Sequence, residues 1–287
     1  MEGCRAPWRQ RQWPVPTYRD EAVVLRTQKL GEADRIITLI TRQHGRVRCV
    51  ARGVRKTTSR IGARLEPFSR VDIQLYQGRN LDTVSQVESL EAHGASLSQD
   101  YAAWTSGTAM LETAERLTPE ENEPALQQYV LLVAGLRSLV AGEHFHAILV
   151  QTGTHAGVTD QVGLVAGEHA PGLVLDSYLL RSLAVAGWSP SFEECARCGS
   201  PGPHRAFSIP SGGMVCTQCR PPGSASPSPA AVALMGALLA GDWHGADLSQ
   251  QRERREASGI VAAYLQWHLE RGLRSLPLVD RSERKSG

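Results

Sequence analysis

The chain contains no apolar run near the roughly 18 residues that a membrane-spanning helix needs, and its start, MEGCRAPWRQRQWPVP, lacks the apolar middle of a secretion signal. Both absences make the cytoplasm the expected address. No Gly-Lys pair occurs anywhere in the 287 residues, which excludes a phosphate-cradling GxxxxGK(S/T) loop. The zinc-protease HExxH and the nucleophile-elbow GxSxG are missing too. Acidic residues vanish from one long stretch: Arg42 to Arg64 holds eight Lys or Arg and no Asp or Glu. These absences weigh against an enzyme and direct attention to binding.

What is present is an ordinary globular composition, 41% hydrophobic and 21% charged, in a chain long enough for one large domain or two to three small ones. The formal net charge of +2 hides an asymmetry. Residues 1–90 hold 17 Lys+Arg against 9 Asp+Glu, a net +8, whereas residues 91–287 hold 14 against 20, a net −6. Polyanion binding is therefore expected in the first third.

Residues 1–16 carry three prolines, two tryptophans and three arginines without periodicity and are expected to form a disordered extension. From Tyr18 to about Leu90, short runs rich in Val, Ile and Leu alternate with period two, as in Arg46-Val47-Arg48-Cys49-Val50 and Val71-Asp72-Ile73-Gln74-Leu75. Turn signals at Gly31, His44-Gly45 and Gln77-Gly78-Arg79-Asn80 divide them. Five such strands suit a small barrel; the oligonucleotide-binding (OB) type leads and an SH3-like barrel fits nearly as well. From about Ser96 the period becomes 3.6. Helices are expected before Pro119, after Pro124 with Gly142 as C-cap, after Pro171, after Pro229, and over SGIVAAYLQWHLERGLRSLP, where Val261, Tyr264, Leu265, His268 and Leu269 share a face. The fold class is thus α+β and multidomain, a barrel followed by a helical bundle.

The hexapeptide Leu139-Val140-Ala141-Gly142-Glu143-His144 recurs 25 residues later as Leu164-Val165-Ala166-Gly167-Glu168-His169. Two copies are too few for a solenoid. A segmental insertion over 145–169 is the reading, with an irregular loop expected there. His144, His146, His155 and His169 fall in or beside it at spacings that match no compact ligand set, so they too are assigned to a flexible loop.

Of six cysteines, four form Cys195-Ala-Arg-Cys198 and Cys216-Thr-Gln-Cys219, separated by 17 residues. Each pair places two thiolates on one tight knuckle, and a hairpin of this length brings the knuckles together around a tetrahedral zinc ion at about 2.3 Å. A closed four-thiolate shell leaves no position for water or substrate, so one structural Zn2+ per chain is expected rather than a catalytic one. His204, a spare ligand type, is expected to face solvent. Cys4 and Cys49 stand alone, the first as an incidental tail residue and the second as a small strand hydrophobe.

The acid-free stretch offers Arg46, Arg48 and Arg52 at shared strand parity, followed by RGVRKTTSRIGAR as a long exposed loop with Arg55, Lys56 and Arg60. Lys29 and Arg35 bracket the preceding GEAD turn. Backbone phosphate is the natural partner for such a surface. Tyr18, Phe68 and Tyr76 are the only aromatics between residues 17 and 90, which favours charge over base stacking. Lys29, Arg35, Arg46, Arg48, Arg52, Arg55, Lys56 and Arg60 are the candidate nucleic-acid-binding residues.

The segment from YRDEAVVLRTQKLGEADRIITLITRQHGRVRCVARGVRK to VSQVESLEAH resembles the N-terminal domain of the RecO family, and WSPSFEECARCGSPGPHRAFSIPSGGMVCTQC resembles that family's zinc-finger segment. The resemblance runs from about residue 17 to 279 and omits the proline-rich start and the 145–169 segment. It implies an OB-fold domain over 17–92, a helical domain over 93–191 and 221–279, an inserted zinc finger over 192–220 and a tail over 280–287. It implies a non-enzymatic DNA repair and recombination mediator that binds single- and double-stranded DNA and anneals complementary strands. The implied partners are RecR, sometimes RecF, the acidic tail of single-strand-binding protein, and RecA as the protein to be loaded. Two competing readings stand beside it. One is a zinc-ribbon transcription or translation factor, in which the knuckles touch nucleic acid; Glu193 and Glu194 offset Arg197, Arg205 and Arg220 there. The other is a magnesium nuclease using Glu32, Asp34, Glu112 and Glu115, of which the last two read better as surface charge on a helix.

Overall fold

The computed structural model describes residues 16–55, 59, 61–141, 143–145, 164–166, 169–270 and 272–279. The expected extension up to residue 15 with Cys4, the candidate cations Lys56 and Arg60, the Gly142 cap, His146, His155 and the tail from residue 280 lie outside the described residues.

Five strands, β1 (Thr17–Leu30), β2 (Asp34–Thr41), β3 (Gly45–Ala51), β4 (Ser69–Tyr76) and β5 (Asp82–Ala92), close into a barrel in the order β1-β2-β3-β5-β4. Neighbours are antiparallel except β3 and β5, which run parallel through Cys49↔Asp82 and Val50↔Thr83. Closure by a parallel pair is a Greek-key path and selects the OB-type barrel. Period-two alternation sends Ala22, Val24, Ile37, Leu39, Val47 and Cys49 inward. The intervening Val23, Leu25 and Ile40 are equally buried because helices cover the outer face of β1 and β2. Burial on both faces explains why EAVVL reads as a continuous apolar run rather than an alternating one.

The short turn α1 (Gly94–Leu97) leads to α2 (Tyr101–Leu117), where Asp100 caps the first turn by accepting from the amides of Ala102 and Ala103. Next come α3 (Leu126–Ala141) and α4 (Pro171–Val185), which starts on its proline. A two-strand ribbon joins them: β6 (Glu143–Phe145) pairs with β7 (Leu164–Ala166). The pairing of Phe145 with Leu164 differs from the irregular loop expected over 145–169, of which 146–163, 167 and 168 lie outside the described residues; Leu139-Val140-Ala141 is helical whereas the identical Leu164-Val165-Ala166 is a strand. His169 is corrected too: its side chain is 2% exposed, with Nδ1 2.6 Å from Asp247 and the ring stacked on Trp243 at 3.9 Å.

The finger follows α4 and holds the hairpin β8 (Ala206–Ser208) and β9 (Gly213–Val215). After it, α5 (Pro229–Ala240) ends at Gly241 in the left-handed region, followed by the short α6 (Trp243–Asp247) and α7 (Gln251–Leu269). The last helix starts seven residues before the expected SGIVAAY. Its first turns, QRERREA, carry no apolar period and are set by a capping box between Gln250 and Glu253. One core runs from Val23 and Ile40 of the barrel through Leu132, Leu175 and Val261 to Phe207 and Met214 of the finger. No helix among the described residues is long and apolar enough to cross a membrane.

Candidate nucleic-acid interface and metal centre

The two knuckles form by local hydrogen bonding. Gly199, at φ +69°, lets its amide turn back to the Cys195 carbonyl at 2.8 Å, and the Cys219 amide reaches the Cys216 carbonyl at 3.2 Å. The hairpin between them brings the Cys216 amide to within 3.4 Å of Cys195 Sγ. The four sulfurs all lie within 4.8 Å of one another, with Cys198 and Cys216 at 3.9 Å. A tetrahedral four-thiolate site with bonds of about 2.3 Å has sulfurs about 3.8 Å apart, so the pocket has the dimensions of a metal ion. Electrostatics agree. The amide of Cys216 draws the Cys195 thiol down to about 5, whereas the neighbouring sulfurs of Cys216 and Cys198 push Cys219 up to about 12. Four thiolates at this spacing need a cation between them. Among the described residues no other group of His, Cys, Asp or Glu side chains has such a geometry. His204 is half-buried rather than solvent-facing, with Nε2 2.9 Å from the Ser200 carbonyl, outside the sulfur set. Cys49 is fully buried in β3, and burial pushes its thiol up to about 12, as suits a small hydrophobe.

The candidate cations among the described residues fall into two groups, one around the end of β3 and one on the strand itself. Lys29 pairs with Arg35 across the β1–β2 hairpin, and Arg35 pairs with Ala51, which Arg52 follows. Arg55 closes the same end: its amide donates to the Ala33 carbonyl at 2.9 Å and its guanidinium to the Gly31 carbonyl at 3.0 Å. Asp34 fixes the turn by accepting from the Gly53 amide at 2.7 Å. Lys29, Arg52 and Arg55 are exposed there without an ion pair among the described residues, while Arg35 meets Glu66 at 2.5 Å. Arg46 lies at the other end, six residues or about 20 Å of strand from Arg52, and Arg48 at the middle of β3, four residues or about 13 Å away. Both face Glu121 of the α2–α3 connection, at 3.9 and 3.5 Å. The shared parity of Arg46, Arg48 and Arg52 thus does not yield one continuous stripe, because β3 ends at Ala51.

Several charged residues have roles that sequence reasoning missed. Glu112, read as surface charge, accepts from the backbone amides of Arg274 and Ser275 at 2.9 Å each and straps the C-terminal segment to α2. Glu115 pairs with Arg26 of the barrel at 2.8 Å. Between barrel and bundle, Arg70 bonds Glu21 and Glu91 at 2.6 Å each, and Arg137 of α3 chelates Glu91 from the helical side. Burial disfavours the Glu91 carboxylate, but hydrogen bonds from His93 and Arg137 outweigh this and hold it well below the usual carboxylate range. The one advance signal was the mixed charge at the ends of β1, β4 and β5.

Comparison with known proteins gives a consistent result. Residues 15–93 match the family model described as Recombination protein O N terminal, and residues 163–277 match Recombination protein O C terminal. The DNA repair protein RecO of a Nocardioides species is 59% identical over 267 residues, covering 92% of this chain and 99% of its own length. The DNA repair protein RecO of Thermobifida fusca is 57% identical over 265 residues with the same coverage, and that of Streptomyces coelicolor is 56% identical over 270.

Proposed function

The chain belongs to the RecO family of recombination and DNA repair proteins, and from that premise we propose that it grips DNA through barrel charge, makes or breaks no covalent bond, and promotes annealing of complementary strands. The observation that carries this reading is the exposed group Lys29, Arg52 and Arg55 around one barrel end, with Arg35 beside it. Lys56 and Arg60, close by in the sequence and outside the described residues, are proposed to bind DNA as well, and Arg46 and Arg48 form the second part of the surface. Cations that neutralise two strands at once lower the repulsion that slows their pairing. No base readout is needed, and the scarcity of exposed aromatics on the barrel agrees with that.

The four cysteines are proposed to hold one zinc ion. When bound, it supplies a structural cross-link between the knuckles and no reactive position. Cys195, Cys198, Cys216 and Cys219 would be its ligands, and the amide of Cys216 orients the first sulfur. The zinc-ribbon alternative is less well supported, because Arg197 and Arg220 bond locally, to the Cys219 carbonyl at 3.4 Å and Ser226 at 3.1 Å, and the exposed Glu193 and Glu194 offset the remaining exposed cation, Arg205. Family membership further suggests docking of RecR, RecF and the acidic tail of single-strand-binding protein, loading of RecA, and work in the nucleoid.

The test compares wild type with an Arg52→Glu/Arg55→Glu variant for retention of a labelled single-stranded oligonucleotide and for the rate of annealing. Loss of about two phosphate contacts and their replacement by repulsion should weaken binding at least tenfold at low salt and slow annealing in proportion. Equal binding and annealing by both proteins would refute the assignment of this barrel end.

A further inference from the structure

The connection between α2 and α3, residues 118–125, carries Glu120, Glu121 and Glu123 and no basic residue. It is seated firmly on the start of β3. The Asn122 amide donates to the Arg46 carbonyl at 2.9 Å, and Gly45 fits so closely under the connection that a Cβ would fall 1.6 Å from the Glu123 carbonyl oxygen. From this fixed register Glu121 reaches Arg48 at 3.5 Å and Arg46 at 3.9 Å, and the Pro119 carbonyl accepts from Arg46. The arrangement holds Arg46 at 17% exposure and leaves its Nε–H buried without an acceptor among the described residues.

We propose that Glu121 of this connection is an intramolecular competitor for the DNA backbone: its carboxylate occupies Arg46 and Arg48 in the free protein and swings away, the connection staying seated, when a strand is gripped along β3. The inference rests on the reading of the barrel as a polynucleotide binder and adds a regulating contact to it. A carboxylate and a phosphodiester offer arginine the same kind of partner, an anionic oxygen. Ion pairs at 3.5 and 3.9 Å lie at or beyond the edge of direct hydrogen bonding, so they are weakly held. Arg48, 37% exposed, need only release Glu121, whereas Arg46 must also leave the Pro119 carbonyl, and in swinging out to a phosphate it gains an acceptor for the Nε–H that is buried without one. Lys29 and Arg52 need no such exchange. A strand therefore engages the open barrel end first and spreads to β3 only by displacing Glu121, which keeps the free protein from presenting its full cationic face.

The test is a salt titration of the full metal-loaded chain with labelled oligothymidylate, using wild type, Glu121→Gln and Glu120→Gln. Removing the Glu121 charge should tighten binding about three- to tenfold at low salt and steepen the logarithmic salt slope by about 0.7 to 1.4, as one or two further phosphates are neutralised. Glu120→Gln, which removes equal charge from the same connection without touching either arginine, should change both far less. Glu121→Asp keeps the charge but shortens the reach, and should move affinity in the same direction as Glu121→Gln, which separates the clamp from net charge. The proposal is overturned if Glu121→Gln behaves like Glu120→Gln, or if Glu121→Asp binds like wild type. Should those results occur while Arg52→Gln still weakens binding, the barrel reading survives alone. Absence of binding by wild type at low salt removes both.

Discussion

The barrel encloses Val24, Ile37, Leu39, Val47, Val71 and Ile73, nearly all with no exposure, whereas the finger has only Ala206 and Val215 beside the buried Cys195 as a core of its own. Full burial of one aliphatic side chain contributes about 1.5–3 kcal/mol, so the barrel holds itself by apolar area and the finger does not. The finger leans on two other supports: the sulfur cluster at one end, and Phe207 and Met214 inserted into the helical core at the other. Small β units of similar appearance are thus stabilised by different physics. The charge-bearing unit has an interior of its own, which leaves the part of its outer surface that the helices do not cover for binding, while the finger's chemistry is spent on staying folded.

Metal removal should separate the two units most sharply. Chelation, or Cys198→Ser, is expected to cost on the order of 10 kcal/mol of local stability. Hydrogen exchange should then show the amides of residues 192–220 opening while those of β1–β5 stay protected. Simultaneous opening of the barrel would erase the distinction. Phe207→Ala attacks the other support of the finger and should destabilise the whole chain by about 3–5 kcal/mol in urea unfolding, because that ring packs edge-on against Tyr264 at 5.9 Å within the main core.

The junction between barrel and bundle is the next most sensitive place. Glu91→Gln should cost about 2–3 kcal/mol, as Arg70 and Arg137 lose their common partner. The folded Glu91 carboxyl lies below its ordinary value of 4.5, so its contribution is present above that pH and is lost as pH falls toward the folded value. Acid titration of stability should accordingly be flatter in Glu91→Gln than in wild type below about pH 4. Smallest in stability is Arg52→Gln, expected within about 0.5 kcal/mol of wild type because the side chain is exposed and unpaired among the described residues. Its oligonucleotide affinity should nevertheless fall, so that stability and binding part company at this one position.

Much of this organisation could be read from residue patterns, and the failures have identifiable causes. Alternation located the strands because one side of each faces an apolar interior, and Pro171 and Pro229 punctuated the helices by backbone chemistry alone. Cysteine spacing located the metal pocket for a similarly local reason. By contrast, Leu-Val-Ala is a helix end at 139–141 and a strand at 164–166, so local sequence does not decide and the surroundings do. The start of α7 was missed because QRERREA packs too little apolar surface to show a period. Charge along the chain suggested one cationic stripe, but Glu121, 73 residues beyond Arg48, sits against two of its arginines. Contacts of that separation leave no trace in composition or spacing.

The claim on which the account turns is that the open end of the barrel holds polynucleotide by charge alone. Its most direct test is the salt dependence of single-strand binding by the metal-loaded chain. With about four phosphates neutralised, log affinity should fall against log salt with a slope near −3 in wild type and visibly less in Arg52→Glu/Arg55→Glu. A shallow slope, identical in the two proteins, would contradict it.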